Sequence, residues 1–200
     1  MCAWGYPLNP LFMKNKDMAI YHFSATVIGR SAGRSSVASA AYRAAEKLTN
    51  EREDITHDYT NKAGVLSSHI LAPENSPDWV HDRNQLWNKV EAVERRKDAQ
   101  LAREITVALP VELDTLEREE LLISFVKENF VSKGMIADVA IHMPDKGGDN
   151  RNYHAHIMLT TRDITPDGFD KKNRTWNDKA LLQEWRDNWE KSINNYLERK

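Results

Sequence analysis

The chain has one cysteine, Cys2, in 200 residues. No internal disulfide is available, and the avoidance of thiols elsewhere fits a reducing, cytoplasmic setting. No apolar run approaches the roughly 18–20 residues that a membrane-spanning helix needs. The N-terminus lacks a basic segment followed by a long apolar one, so neither membrane insertion nor a secretory signal is expected. There is no excess of positive charge either. Lys and Arg number 28 against 30 Asp and Glu, a formal net charge of -2. Attraction to a polyanion by bulk charge is thereby excluded, and any nucleic acid must be held by local basic patches. Internal repeats and low-complexity segments are absent as well.

What is present is the composition of one ordinary domain, 40% hydrophobic and 29% charged. A chain of this length supports a substantial core. Residues 1–17 carry Trp4, Tyr6, Pro7, Pro10 and Phe12 without any period, and they read as a leader or disordered arm. Met18 opens a regular pattern and reads as a natural start, so the domain is expected over 18–200.

Residues 19–28 are rich in β-branched and aromatic side chains and predict a strand. A Gly/Ser/Arg turn follows, containing Arg30 and Arg34. Ser35 or Ser36 then caps a helix over about 36–48, with Val37, Ala41, Ala44 and Leu48 as its apolar stripe. Its many alanines permit close approach of another surface. Tyr42 sits at the edge of that stripe, beside Arg43 and ahead of Lys47. Residues 49–62 are polar and predict a mobile loop, and Val65 to Leu71 a short strand. Ser76-Pro77-Asp78 signals the start of a helix reaching about Lys97.

A strand over 100–109 ends at Pro110. Asp114 and Glu117 form a capping-box pattern for a helix to about Val131. Strands follow over 135–142 and 153–160, joined by a turn-rich link with Pro144, Gly147, Gly148 and Asn150. The last helix, about 178–198, presents Leu182, Trp185, Trp189, Ile193 and Tyr196 on one face. This order predicts an α+β fold, an antiparallel sheet backed by helices.

The chemically suggestive stretch is His142 followed by His154-Ala155-His156. In a strand, residues two apart share a face, so His154 and His156 project together while Ala155 and Ile157 pack behind them. If 135–142 and 153–160 form a hairpin, one register sets His142 opposite His154, with Cβ atoms about 5 Å apart. Three imidazoles would converge and leave a coordination position open, as a catalytic metal site requires. Such a set suits Zn, Mn, Ni or Co, and a substrate phosphate oxygen would make a harder ion such as Mg acceptable. Ligating histidines usually donate their second ring nitrogen to an oxygen, for which Glu104 and Asp138 are candidates. The bland alternatives are histidines that merely satisfy a sheet, a solvated Glu104, and Tyr42 as a half-buried residue at a helix edge.

Several segments together resemble one family. They are Met18-Ala19-Ile20-Tyr21-His22-Phe23-Ser24-Ala25, Ala41-Tyr42-Arg43-Ala44, Ala108-Leu109-Pro110-Val111-Glu112-Leu113, and His142 with His154-Ala155-His156. In this order they are similar to the MobA/MobL-type plasmid mobilisation relaxases of the HUH endonuclease superfamily, over nearly the whole chain. The resemblance implies a ferredoxin-like or RRM-like palm. It implies site- and strand-specific nicking of a plasmid transfer origin through a 5′-phosphotyrosine.

By position, Tyr42 would be the nucleophile. His142, His154 and His156 would hold a divalent ion, Mg or Mn first, with Zn, Ni or Co also compatible. Glu104 would be the acidic residue near the site, with Thr106 where some relatives carry a second carboxylate. Arg30, Arg34, Arg43 and Lys47 would contact DNA, and Lys171, Lys172 and Arg174 form a second basic group. The implied partners are single-stranded or melted transfer-origin DNA, accessory relaxosome proteins and a coupling protein. A rolling-circle-type HUH initiator would share these residues and differ in its DNA. A non-catalytic RRM-like nucleic-acid module would hold no metal. The geometry demanded is specific: the Tyr42 helix must lie over the face that carries the histidines.

Overall fold

The computed structural model describes residues 22–200. The expected arm 1–17, and the first residues of the expected first strand, lie outside that range. Five antiparallel strands form the central sheet. They are β1 (Phe23–Gly29), β4 (Val65–Leu71), β5 (Gln100–Ala108), β6 (Ala137–His142) and β7 (His154–Leu159). Their order across the sheet is β1-β5-β7-β6-β4. The histidine strand β7 is therefore central, flanked by β5 and β6.

Alternation gives the sheet two different faces. Ile105, Val107, Val139, Ile141, Ala155, Ile157 and Leu159 point one way into the larger core. Helices α3 (Thr115–Asn129) and α4 (Lys179–Arg199) cover them with Leu122, Phe125, Trp185, Trp189 and Ile193. Phe125 meets Trp189 edge-on at 4.9 Å, and Phe130 meets Trp185 likewise at 5.1 Å, geometries that aromatic rings favour. The expected capping box is formed: the Asp114 carboxylate accepts from the Glu117 amide, and the Glu117 carboxylate accepts from the Asp114 amide. The core face expected for the last helix is the one that packs, with Leu182 and Tyr196 at its margin.

The opposite face is half polar. Helices α1 (Ser36–Ala44) and α2 (Arg83–Val93) cover part of it through a smaller cluster that includes Val37, Ala40, Ala41, Leu86, Trp87, Val90 and Met158. Ala40 and Ala41 are essentially inaccessible, so the alanine-rich surface does allow the close approach. Buried carboxylates join these helices to each other and to the sheet. Glu91 of α2 accepts from the Ser36 amide at 2.9 Å and from both serine hydroxyls at the start of α1. An anion there also meets the positive end of the helix dipole. Asp138 of β6 receives the Trp87 indole N–H at 2.8 Å and the Arg83 guanidinium at 2.9 Å.

Several expectations are corrected. The Tyr42 helix ends at Ala44, not near 48, because Ala45 turns into the left-handed region at φ 56°. Lys47 therefore begins a strand. The supposed loop is a hairpin of β2 (Lys47–Asn50) and β3 (Ile55–Asp58), whose ladder satisfies a backbone that the polar side chains only decorate. The helix expected over 76–97 is split into a 3₁₀ turn at Asp78–His81 and α2, which Asp82 caps through the Gln85 amide. A second small hairpin, β8 (Arg162–Thr165) and β9 (Gly168–Lys172), was not anticipated. Its apolar signal is confined to Ile164 and Phe169, too few to show a period. Asp138 is no partner of the histidines, since Arg83 and Trp87 occupy it.

The Arg83–Asp138 pair is buried on both sides, with 8% and 5% side-chain exposure. Truncating one member of a buried pair strands the other charge, which costs about 3–5 kcal/mol. Asp138→Ala is expected to lower unfolding stability by up to that order in urea titration, with a small effect indicating that Glu46, the other carboxylate on Arg83, suffices to compensate it.

Candidate functional site

The hairpin of β6 and β7 has the expected register, with His142 paired to His154 and Ala140 to His156. All three imidazoles gather on the polar face, at the end of the sheet where the 143–153 connection leaves. Ring centroids are 5.3 Å apart for His142–His154, 5.0 Å for His142–His156 and 5.3 Å for His154–His156. One ligand nitrogen from each lies within 4.8 Å of the others.

One ring nitrogen of every histidine is already held by an oxygen. His142 Nε2 lies 2.8 Å from the Arg43 carbonyl. His154 Nδ1 lies 3.0 Å from the Asn152 carbonyl. His156 Nδ1 lies 3.2 Å from Glu104 Oε1 and 3.3 Å from Thr106 Oγ1. This outer arrangement orients a ligating imidazole and sets its tautomer. The second nitrogen of each ring, Nδ1 of His142 and Nε2 of the other two, stays available. The chemistry of the donors fits a metal ion.

Protonation favours the same role. Burial pushes His142 down to about 4, more than the Arg43 carbonyl raises it. Burial also lowers His156, against the opposing pull of Glu104. Both are therefore neutral near pH 7, the state a metal ligand needs. Burial alone would raise the Glu104 carboxyl. Hydrogen bonds from His156 and Arg43, with the charge of Arg43, overcome that and hold it at about 2.

Tyr42 lies in the last turn of α1, 42% exposed. With the three histidines it lines one cleft of about 430 Å³, along with Arg43, Lys62, Gly64, Met143, Asp145 and Lys146. The helix thus lies over the histidine face as demanded, tied there by the His142–Arg43 contact. The tyrosine and the histidines, about a hundred residues apart in sequence, share one wall-to-wall space.

The basic residues divide. Arg43 Nε binds Glu104 at 2.6 Å and its guanidinium carbon stands 5.3 Å from the Tyr42 ring centre. Arg34 reaches Glu104 at 3.4 Å with 35% of its side chain exposed. Arg30 is elsewhere. It is 10% exposed, pairs with Glu91 at 2.6 Å and donates to the carbonyls of Glu94 and Arg96. Its two terminal guanidinium nitrogens are engaged inside the protein, where they hold the chain between β1 and α1. Lys47 stands on β2 beside Asp58 at 3.6 Å, outside the cleft lining. Lys172 is bound to Glu94, while Lys171 and Arg174 are exposed. Lys62 and Lys146 were missed as cleft residues. Each is a lone lysine in a polar stretch, and neither spacing nor periodicity marks it.

The MobA/MobL family profile matches residues 34–200. The conjugal transfer protein TraA of Agrobacterium fabrum is 39% identical over an alignment covering 90% of this chain and 19% of that protein. The mobilization protein MobL of Acidithiobacillus ferridurans is 41% identical, covering 76% of this chain and 45% of that protein. The chain thus spans less than half the length of these relatives. A solved structure from work on vancomycin resistance transfer in Staphylococcus aureus superposes with a TM-score of 0.83 at 36% identity, covering 90% of this chain and 94% of that one. The conjugative relaxase TrwC, solved metal-bound with oriT DNA, shares the fold at a TM-score of 0.56 and 10% identity, covering 89% and 70% of the two chains. The profile match extends from the turn before α1 through the end of α4, and with the shared architecture it establishes that this chain belongs to the MobA/MobL family and has the relaxase fold.

Proposed function

We propose that residues 18–200 form a metal-dependent relaxase domain. It nicks one strand of single-stranded or melted transfer-origin DNA in conjugative mobilisation, acting from the cytoplasm. The observation that carries this reading is the single cleft lined by Tyr42 and the three tethered histidines. A phosphodiester in that cleft would lie between a hydroxyl nucleophile and a three-nitrogen ligand set.

The chain's own residues then have separable roles. The Tyr42 oxygen attacks phosphorus, losing its proton as the new P–O bond forms. The bond from phosphorus to the 3′ oxygen breaks, and that oxygen leaves as a hydroxyl after taking up a proton. The product is a 5′-phosphotyrosine beside a free 3′-hydroxyl, and reversal reseals the strand. A phenol with an ordinary pKa near 10 is a weak nucleophile at neutral pH. A divalent ion on His142, His154 and His156 would supply Lewis-acid polarisation of a phosphoryl oxygen. Mg and Mn suit a site completed by phosphate oxygens, and Zn, Ni or Co suit the imidazoles. Glu104 acts through its neighbours, fixing the His156 ring and the Arg43 side chain. Arg43 and Lys146 offer local positive charge to a backbone phosphate on a chain with no overall excess of it. Accessory relaxosome proteins and a coupling protein complete the assembly in this reading.

Incubation with Mn²⁺ or Mg²⁺ and single-stranded oligonucleotides tiling the DNA around its gene is expected to yield a covalent adduct on the 5′ side of one break. Tyr42→Phe should reduce that adduct to background in a denaturing gel, and persistence of the adduct in the variant would sink the assignment. Glu104→Gln is expected to weaken Mn²⁺ binding about 10–100-fold in calorimetric titration, as loss of an outer-shell partner does. Metal-free stability carries a further signature. The folded pKa of His142, about 4, lies below its usual 6.5. Its contribution is therefore intact above pH 6.5 and falls away as pH drops towards 4. Between pH 7 and 5, metal-free wild type should lose more stability in urea than metal-free His142→Gln does.

A further inference from the structure

A tyrosine in the last turn of a helix, 42% exposed, is ordinarily free to change rotamer. Tyr42 is not. The Tyr59 ring stands perpendicular to it, with centroids 5.2 Å apart and planes at 88°. The Lys62 ammonium stands 4.2 Å from its ring centre. The same Lys62 nitrogen donates to the Tyr42 carbonyl at 3.0 Å. Both residues come from the short segment after β3, and that segment is itself anchored. The Tyr59 amide donates to the Glu46 carbonyl at 3.2 Å, just beyond α1, and the Lys62 amide donates to the Tyr59 carbonyl at 2.8 Å. Gly64, at φ +93°, then turns the chain into β4, and its carbonyl accepts from the Met143 amide at 2.9 Å. The segment thus bridges the end of the tyrosine helix and the start of the histidine hairpin connection.

We propose that Lys62 and Tyr59 are positioning residues that clamp the Tyr42 ring at the mouth of the cleft, one through its ammonium and one through a perpendicular ring contact. The proposal rests on the reading of Tyr42 as the nucleophile and deepens it. An in-line attack needs the oxygen within about 3–3.5 Å of phosphorus on a fixed trajectory, and a misplacement near 1 Å costs on the order of 100-fold in rate. The ring electrons attract a cation held over the face, and that attraction grows as the phenol turns into a phenolate. Lys62 therefore favours both the waiting orientation and the attacking form. Tyr59 supplies the perpendicular ring contact that prevents the ring from swinging away from the histidines.

The test uses the 1–200 protein with Lys62→Gln, Lys62→Arg and Tyr59→Leu, and two readouts. The first is single-turnover adduct formation at saturating oligonucleotide, with affinity measured separately. Lys62→Gln and Tyr59→Leu are expected to slow the step about 10–100-fold at unchanged affinity and unchanged Mn²⁺ binding, and Lys62→Arg should restore most of the rate. Rates within twofold of wild type would overturn the clamp. So would a loss confined to affinity, which would make Lys62 a DNA contact only. The second readout is fluorine NMR of protein carrying 3-fluorotyrosine, the Tyr42 signal being assigned as the one missing in Tyr42→Phe. Lys62→Gln should move that signal towards the free amino-acid position, and an unmoved signal would overturn the proposal. This readout needs no nicking. A displaced signal in a wild type that forms no adduct would keep the clamp and reject the nucleophile.

Discussion

Glu104 is the contact on which the site depends. Its carboxylate is 5% exposed, yet it serves three cationic or hydrogen-bonding partners on three elements: His156 on β7, Arg43 on α1 and Arg34 in the turn before α1. A buried carboxylate is tolerable only with such compensation. Because the partners come from both layers, the same charge that satisfies them also sets where the helix lies relative to the sheet. Arg43 closes the circuit, since its carbonyl holds His142 while its side chain holds Glu104. The nucleophile candidate is the neighbouring residue, so positioning the three histidines and positioning the tyrosine are one structural problem with one solution.

That arrangement follows from the asymmetry of the sheet. One face is largely apolar, with Arg103, Ser67 and His69 as its polar members, and is sealed by α3 and α4 chiefly through aromatic side chains. It supplies stability of the usual hydrophobic kind, at roughly 25 cal/mol for each Å² of apolar surface removed from water. The other face carries Glu104, Thr106, Asp138, His142, His154 and His156. Apolar packing seals it only in part, and carboxylates add to the fastening of α1 and α2. Glu91 holds the start of α1, Asp138 holds α2, and Glu94 receives Arg162 and Lys172 from the β8–β9 hairpin. The polar face is where a charged substrate can be accommodated, and its cleft opens where the helices stop.

The sheet and site were legible to different degrees. The alternation around His154-Ala155-His156 and the turn residues between the two strands were enough to place three imidazoles together. The capping box at Asp114 and the aromatic stripe of α4 were equally readable, because each is a local rule written in a few consecutive residues. The end of α1 was not readable. Ala45 adopts a left-handed backbone that glycine would favour, so the usual stop signal is missing and the helix seemed to run on through Lys47. The β2–β3 hairpin was hidden for the related reason that its strands are short and polar. Arg30 and Asp138 had the right residue type for the site, and long-range partners claimed them for other work. Lys62 and Tyr59, in what read as a mobile loop, carried no pattern at all.

By itself, then, the sequence determined what depends on local periodicity: an antiparallel α+β fold, a three-histidine patch from a hairpin of fixed register, and a tyrosine helix of unusual smoothness. Only the tertiary structure decided which charges are spent within the protein and which face the cleft. Such pairings join residues 50 to 100 positions apart, and no rule of spacing relates them. It also decided that the three histidines are one wall of a shared cleft. The histidine spacing implied an ion site, but the placement of Tyr42 beside it required α1 to fold over the polar face, held there by the charge of Glu104.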